Sequence, residues 1–173
     1  MTLLRDDVVM LRAVEPEDLE VMSLLENDAS LWDSACTTVP YSSHVLREYI
    51  KQCSYDFYAD RSVRLAIALG GGVAVGFIDL QNYAPQHQRA EVGIVLMREF
   101  QRRGLARRAL ALLVEYARDV LHLYQVYAYV QCANLPALRL FQSAGFERTA
   151  TLAQWVRCAD GWSDVAVFQL RLG

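Results

Sequence analysis

A chain of 173 residues with 54% hydrophobic and 21% charged residues is long enough to bury a sizeable core and too apolar to be disordered. Its net charge of −3 excludes a strong general affinity for polyanions, which argues against a nucleic-acid-binding role. No apolar run approaches membrane-spanning length, and Met1 to Asp7 lacks the apolar core of a signal peptide. Cys36, Cys53, Cys132 and Cys158 are widely spaced with no CxxC, and His44, His87 and His122 show no metal-ligand spacing. A cytoplasmic chain with reduced thiols, no metal, no membrane and no nucleic-acid partner is therefore expected.

In chain order, Val8 to Arg12 reads as a short strand. Glu15-Pro16-Glu17-Asp18 starts a helix with proline and acids in its first turn, and Leu19, Met22, Leu24 and Leu25 supply its core face. Asn27 to Pro40 reads as a loop or short helix. Tyr41-Ser42-Ser43 caps a second helix, in which Val45, Leu46, Tyr49, Ile50 and Cys53 recur at helical spacing. Val63 to Leu69 and Val73 to Leu80 form a hairpin about Gly70-Gly71-Gly72. Asn82 to Gln88 is a polar loop, and Arg89 to Leu96 is the next antiparallel strand.

A long amphipathic helix follows over Leu105 to Val120, with Leu105, Ala109, Leu112, Leu113, Tyr116 and Val120 on one face. Gln125 to Val130 is a strand of β-branched and aromatic residues. Asn134 caps the last helix, Pro136 sits in its first turn, and Gly145 follows its C-terminus. Ala150 to Val156 and Ser163 to Leu172 are two closing strands joined at Asp160-Gly161. No repeat or linker interrupts this order, so residues 1–173 read as one α+β domain.

The chemistry concentrates at Gln101-Arg102-Arg103-Gly104-Leu105-Ala106, between the strand Glu91-Val92-Gly93-Ile94-Val95-Leu96 and the long helix. A strand thus runs through a basic, Gly-containing loop into a helix N-terminus. Such a terminus has unpaired N–H groups and the positive end of the helix dipole, which together bind anions, most often phosphate. Arg102, Arg103, Arg107 and Arg108 add positive charge, and Gly104 lets the backbone approach a ligand. The loop is neither a Walker P-loop nor a Rossmann fingerprint.

The loop has the pattern Q/R-x-x-G-x-G/A, with Ala106 in the last position. Further along, Asn134-Leu135-Pro136-Ala137-Leu138-Arg139-Leu140-Phe141-Gln142-Ser143-Ala144-Gly145-Phe146 has the pattern N-x-x-A-x-x-[LI]-[YF]-x-x-x-G-F. With these two motifs in order, the chain resembles the GCN5-related N-acetyltransferase (GNAT) superfamily over nearly its whole length. Leu11 to Leu19, Asn27 to Ser30, Arg89-Ala90-Glu91 and Leu123-Tyr124 give it the look of the spermidine N-acetyltransferase-like members. The resemblance implies a mixed, mostly antiparallel sheet of about seven strands flanked by about four helices. It also implies acetyl-CoA as co-substrate and direct transfer of acetyl to a primary amine of a small molecule or peptide in a ternary complex. A homodimer is admitted.

By the same resemblance, Ile94-Val95-Leu96 is the arm whose backbone pairs with pantetheine, and Gln101 to Arg107 holds the pyrophosphate. Asn134 binds the pantetheine arm, a role compatible with its use as a helix N-cap. Glu91 lies in phase with Gly93 and out of phase with Val92 and Ile94. It either binds the amine and relays its proton, or is a solvated strand glutamate. Tyr127 and Tyr129 share one face of their strand and serve either packing or the site. Phe141 stands where relatives place a tyrosine that protonates the leaving thiolate. Three readings stay open: transfer without a dedicated acid, another hydroxyl in its place, or an acyl-CoA-binding module without turnover. Between Trp32 and Ser43 only Asp33 is acidic, which is sparse for a polyamine site.

Overall fold

The computed structural model describes residues 4–31 and 39–173. Within these, seven strands form one sheet in the order β1-β2-β3-β4-β5-β7-β6. The strands are β1 (Met10–Ala13), β2 (Val63–Ala68), β3 (Ala74–Ala84), β4 (Arg89–Leu96), β5 (Gln125–Gln131), β6 (Glu147–Cys158) and β7 (Gly161–Arg171). Every neighbouring pair is antiparallel except β4 and β5. That parallel pair needs a crossover, which the long helix provides. The helices are α1 (Leu19–Glu26), α2 (Ser43–Gln52), the single turn α3 (Phe57–Asp60), α4 (Leu105–Asp119) and α5 (Leu135–Ser143). The expected α+β architecture is therefore the observed one, and among the described residues no helix is long and apolar enough to cross a membrane.

Strand alternation divides the core into two layers. Leu65, Ile67, Ile78, Leu80, Ala90 and Val92 face α4 and join Val126, Ala128, Phe141 and Phe168 in the larger cluster. Ala66 and Phe77, on the opposite face, pack with Met22 and Leu25 of α1 and with Leu46 and Ile50 of α2. Val95 packs against this second cluster and Ile94 against the first. Glu91, Gly93 and Val95 therefore lie on the α1–α2 side of the sheet.

The differences from the expected elements have local causes. Proline and acids at 16–18 form a 3-10 turn before α1, and Leu24 is solvent-exposed while Met22 and Leu25 are buried and Leu19 and Val21 pack against the core. In α2, Val45 and Tyr49 are exposed while Leu46 and Ile50 are buried. The polar loop expected at 82–88 is partly strand: β3 runs to Ala84, with a bulge at Asn82, whose φ is 54°. Tyr83 anchors this extension, its ring centroid 4.6 Å from that of Phe57. Phe57 belongs to α3, an unforeseen turn capped by Asp56, whose carboxylate accepts from the N–H groups of Tyr58 and Ala59. On α4, Leu110 and Ala117 are buried while Val120 is exposed, since one helix packs under several strands and needs a wide apolar stripe.

Candidate active site

The β4–β5 ladder has only three rungs: Arg89↔Gln125, Ala90↔Val126 and Glu91↔Tyr127. Beyond Glu91 the two strands part. β4 keeps its pairing with β3 through Leu96↔Gly76, and β5 keeps its pairing with β7 through Gln131↔Val165. Residues 92–96 thus present a backbone edge with no ladder partner on the β5 side. Ile94 and Val95 are half-buried and Leu96 is buried, so their side chains anchor this edge in both core layers. An extended ligand arm can pair there as an added strand.

The edge leads into the basic loop. Gln101 Nε2 donates to the Leu96 carbonyl oxygen at 2.9 Å, which ties the loop back to the strand end. Arg102 adopts a left-handed φ of 60° and Gly104 one of 77°. Gly104 is the N-cap of α4 and supplies no capping side chain. The first intrahelical bond runs from Arg108 N to Gly104 O, leaving the N–H groups of Leu105, Ala106 and Arg107 directed outward. A Cβ at Gly104 would meet nothing within 4 Å among the described residues, so the space beside the helix start is open. The Arg103 guanidinium lies 5.5 Å from the Phe100 ring centroid. Arg108 contributes less free charge than its sequence position suggests, because it pairs with Asp6 at 2.9 Å and Asp7 at 2.7 Å.

Asn134 lies across the splay at the end of β5. Its Oδ1 accepts from Ala137 N at 3.2 Å, so it does cap α5. Its Nδ2 is uncommitted among the described residues. Phe141 is buried, its ring 5.1 Å from Phe146 at a steep angle and 5.9 Å from Phe168 in a stacked arrangement. Glu91 is half-buried on the last rung before the splay, and Asn82 Nδ2 donates to its Oε2 at 2.8 Å. Tyr127 faces Glu91 across that rung and Tyr129 lies next along the same face, their rings 5.6 Å apart. Burial, with the Glu91 charge adding to it, pushes the Tyr127 phenol up. The structure therefore brings Glu91, the 94–96 edge, the 101–107 loop and Asn134 around one splay.

The acetyltransferase (GNAT) domain model matches residues 9–147. The chain belongs to the GNAT family of acetyltransferases. It is similar to the spermidine N(1)-acetyltransferase of Escherichia coli K12, with 33% identity over 142 residues, covering 80% of this chain and 72% of that protein. The Vibrio cholerae spermidine N(1)-acetyltransferase is 26% identical over 144 residues, covering 83% and 82%. The fold matches the crystal structure of the Vibrio cholerae spermidine N-acetyltransferase in complex with CoA and spermine, with a TM-score of 0.87 at 23% identity. That match covers 96% of this chain and 97% of that one. As a GNAT enzyme the chain is an acetyl-CoA-dependent N-acetyltransferase acting on an amine.

One charged row beside the splay escaped sequence reasoning. Arg64 of β2 opposes Asp79 of β3, which in turn opposes Gly93 of β4. Arg64 donates from Nε to Asp79 Oδ1 at 2.8 Å, from its NH2 nitrogen to Asp79 Oδ2 at 3.2 Å, and from its NH1 nitrogen to Glu26 Oε1 at 2.5 Å. The guanidinium sits 5.7 Å from the Tyr49 ring centroid and 5.8 Å from that of Phe77. Burial opposes its charge, but Asp79, Tyr49 and Glu26 raise its pKa above the ordinary value. Burial likewise pushes the Asp79 carboxyl up against the pull of Arg64, and drives the Tyr49 phenol up to about 12. The available signal was one charged residue in each of two apolar strands, Val63-Arg64-Leu65 and Ile78-Asp79-Leu80. Of the stretch Trp32 to Ser43, singled out because only Asp33 in it is acidic, residues 32–38 lie outside the described residues.

Proposed function

We propose that acetyl-CoA lies along the splay, with its pantetheine arm on the 94–96 backbone edge and its pyrophosphate on the N-terminus of α4. The observation that carries this reading is the β4–β5 parting immediately before a loop whose three helix-start N–H groups face an open approach. Arg102, Arg103 and Arg107 supply charge around those donors, Gln101 steadies the loop, and the Asn134 amide reaches the arm. A backbone N–H of the 94–96 edge supports the oxyanion as the amine adds to the thioester carbonyl. The C–N bond forms in that addition, and the C–S bond breaks as the oxyanion collapses to the amide carbonyl and expels the thiolate. Glu91 takes the proton shed by the amine, directly or through one water. The ring at 141 has no proton to give, so the departing thiolate takes its proton from solvent, which is feasible near neutral pH.

The acceptor is a primary amine, and the likeness to the two spermidine acetyltransferases supports trying polyamines first. Assembly of several copies is supported by the Vibrio cholerae relative described as dodecameric. A cytoplasmic location fits the unpaired Cys53, Cys132 and Cys158.

The test is calorimetric titration of CoA into the protein, with released thiol measured over a panel of amines. Gly104→Ala costs about 1–2 kcal/mol of stability from its left-handed φ. It should weaken CoA binding about tenfold while Tm falls by only a few degrees, because the added methyl meets ligand and not protein. Glu91→Gln should lower kcat at least about 100-fold with CoA affinity unchanged. Absence of CoA binding by the unaltered protein would sink the assignment of residues 94–107.

A further inference from the structure

The Arg64–Asp79–Gly93 row lies on the α1–α2 face of the sheet, and its last member lies two residues past the final β4–β5 rung. Gly93 therefore sits at the mouth of the splay. A Cβ built there would lie 3.5 Å from Asp79 Oδ2 and 3.8 Å from Asp79 Cβ, with no other contact within 4 Å among the described residues. The φ of Gly93 is not left-handed, so the backbone does not require glycine there. What glycine supplies is space: a notch over β4 with a carboxylate oxygen at its wall.

The state of that oxygen matters. Asp79 Oδ1 takes the short contact from Arg64 Nε, whereas Oδ2 takes only the longer one at 3.2 Å. A carboxylate oxygen accepts two hydrogen bonds, so Oδ2 has capacity left and faces the notch. The Asp79 side chain is 17% exposed, enough to meet a ligand while Arg64 holds its orientation. Glu91 stands two residues from Gly93 on the same face, diagonal to Asp79 across the β3–β4 ladder. Such diagonal positions are about 7–8 Å apart, a span one ammonium bridges with hydrogen bonds to both carboxylates. Asn82 occupies Glu91 Oε2, and Oε1 is uncommitted among the described residues.

We infer that the notch over Gly93 seats the acceptor's ammonium between Asp79 and Glu91, and that this wall selects primary amines with no carboxylate beside the nitrogen. The inference rests on the acetyltransferase reading above. Its selectivity follows from charge. Asp79, Glu91 and Glu26 place three carboxylates against two guanidiniums, that of Arg64 and that of Arg89 beside Tyr127, so an amino-acid α-carboxylate entering with its amine meets net repulsion. An ammonium on an unsubstituted methylene meets net attraction, and among the described residues no side chain covers the glycine floor.

The experiment compares 2-phenylethylamine with phenylalanine, which adds only an α-carboxylate, and includes spermidine as a second amine. Each is titrated calorimetrically into the CoA-saturated protein, and acetylation is followed by released thiol. The expected result is binding of an amine probe, and kcat/KM for 2-phenylethylamine at least tenfold above that for phenylalanine. Gly93→Ala, whose methyl makes only ordinary contacts with Asp79, should keep Tm and CoA affinity and raise the amine KM or Kd at least tenfold. Asp79→Asn should raise the amine KM in the same direction. Its Tm is read alongside because it also leaves Arg64 with one carboxylate fewer. Unchanged amine binding in a folded, CoA-binding Gly93→Ala protein overturns the seat, as does a CoA complex that takes up neither amine. Preference for phenylalanine overturns the selectivity. A wild-type protein that binds no CoA overturns the acetyltransferase roles first, and so distinguishes that failure from failure of the seat.

Discussion

Asp18 is buried at the start of α1, and its partners show what one residue can join. Arg12 NH1 and NH2 donate to its two carboxylate oxygens at 2.7 and 2.8 Å, and Glu15 N donates to Oδ2 at 2.9 Å. The same guanidinium donates to the Gly72 carbonyl, so β1, the turn before α1 and the β2–β3 hairpin meet at one pair. Burial pushes the Asp18 carboxyl up, but the Arg12 and Glu15 hydrogen bonds outweigh it and hold the pKa below the usual value. A depressed native pKa stabilises the fold above the unfolded value, about 3.9, and that contribution fades as pH falls through the lower native value. Asp18→Ala, which strands the charge of Arg12, should therefore cost about 3 kcal/mol at pH 7 in urea denaturation. The gap between variant and wild type should narrow as pH drops below about 4. In the sequence Asp18 reads only as a first-turn acid, since nothing local announces a partner six residues earlier on a strand. The face that Glu91 takes was legible because strand phase puts it with Gly93, whereas the pairing of Asp79 was not, because its partner Arg64 lies on a neighbouring strand.

Helix ends show the same division between elements that are local and packing that is not. Residues 134–146 are legible almost completely, because caps are chemistry between near neighbours. Asn134 caps the start of α5. At the other end Phe146 N donates to Phe141 O at 3.0 Å and Gly145 N to Gln142 O at 3.1 Å, with Gly145 at a φ of 88°. This is a Schellman motif, closed by the Phe141–Phe146 ring contact. A Cβ at Gly145 would touch nothing within 4 Å, so Gly145→Ala isolates the conformational cost. It should lose about 1–2 kcal/mol, read as a Tm drop of about 2–8 °C in calorimetry, with CoA binding retained. The Phe141 ring is committed to this closure and to Phe168 of β7, a contact that no pattern within the helix reveals. The apolar stripe of α4 was drawn too narrow for a related reason: its width depends on how many strands lie beneath it.

At the scale of the molecule, the site depends on two strands staying paired and two parting. β3 and β4 are pressed together at Gly76, where an added Cβ would overlap the Val95 carbonyl oxygen and lie 2.9 Å from Leu96 Cα. Val95 and Leu96 belong to the edge assigned to the pantetheine arm, so crowding at Gly76 reaches the site directly. Gly76→Ala should cost about 2–3 kcal/mol in urea denaturation and weaken CoA binding by calorimetry. By contrast, changes at Gly70 in the β2–β3 turn, where an added Cβ meets nothing, should leave both unaltered.

By itself the sequence determined the order of the strands and the four longer helices, the caps of α2 and α5, the strand phases and the basic loop at 101–107. Each of these is written by residues a few positions apart, through side-chain period, capping chemistry and backbone permissiveness. It also determined the family, through two motifs that each lie within one strand–helix or loop–helix junction. Only the tertiary structure decided that β4 leaves β5 after Glu91, that Arg108 is bound by Asp6 and Asp7, and that Arg64 holds Asp79 over Gly93. Those outcomes depend on which distant strands and segments become neighbours. That choice is made by burial of the whole apolar surface at once, and not by any window of the chain.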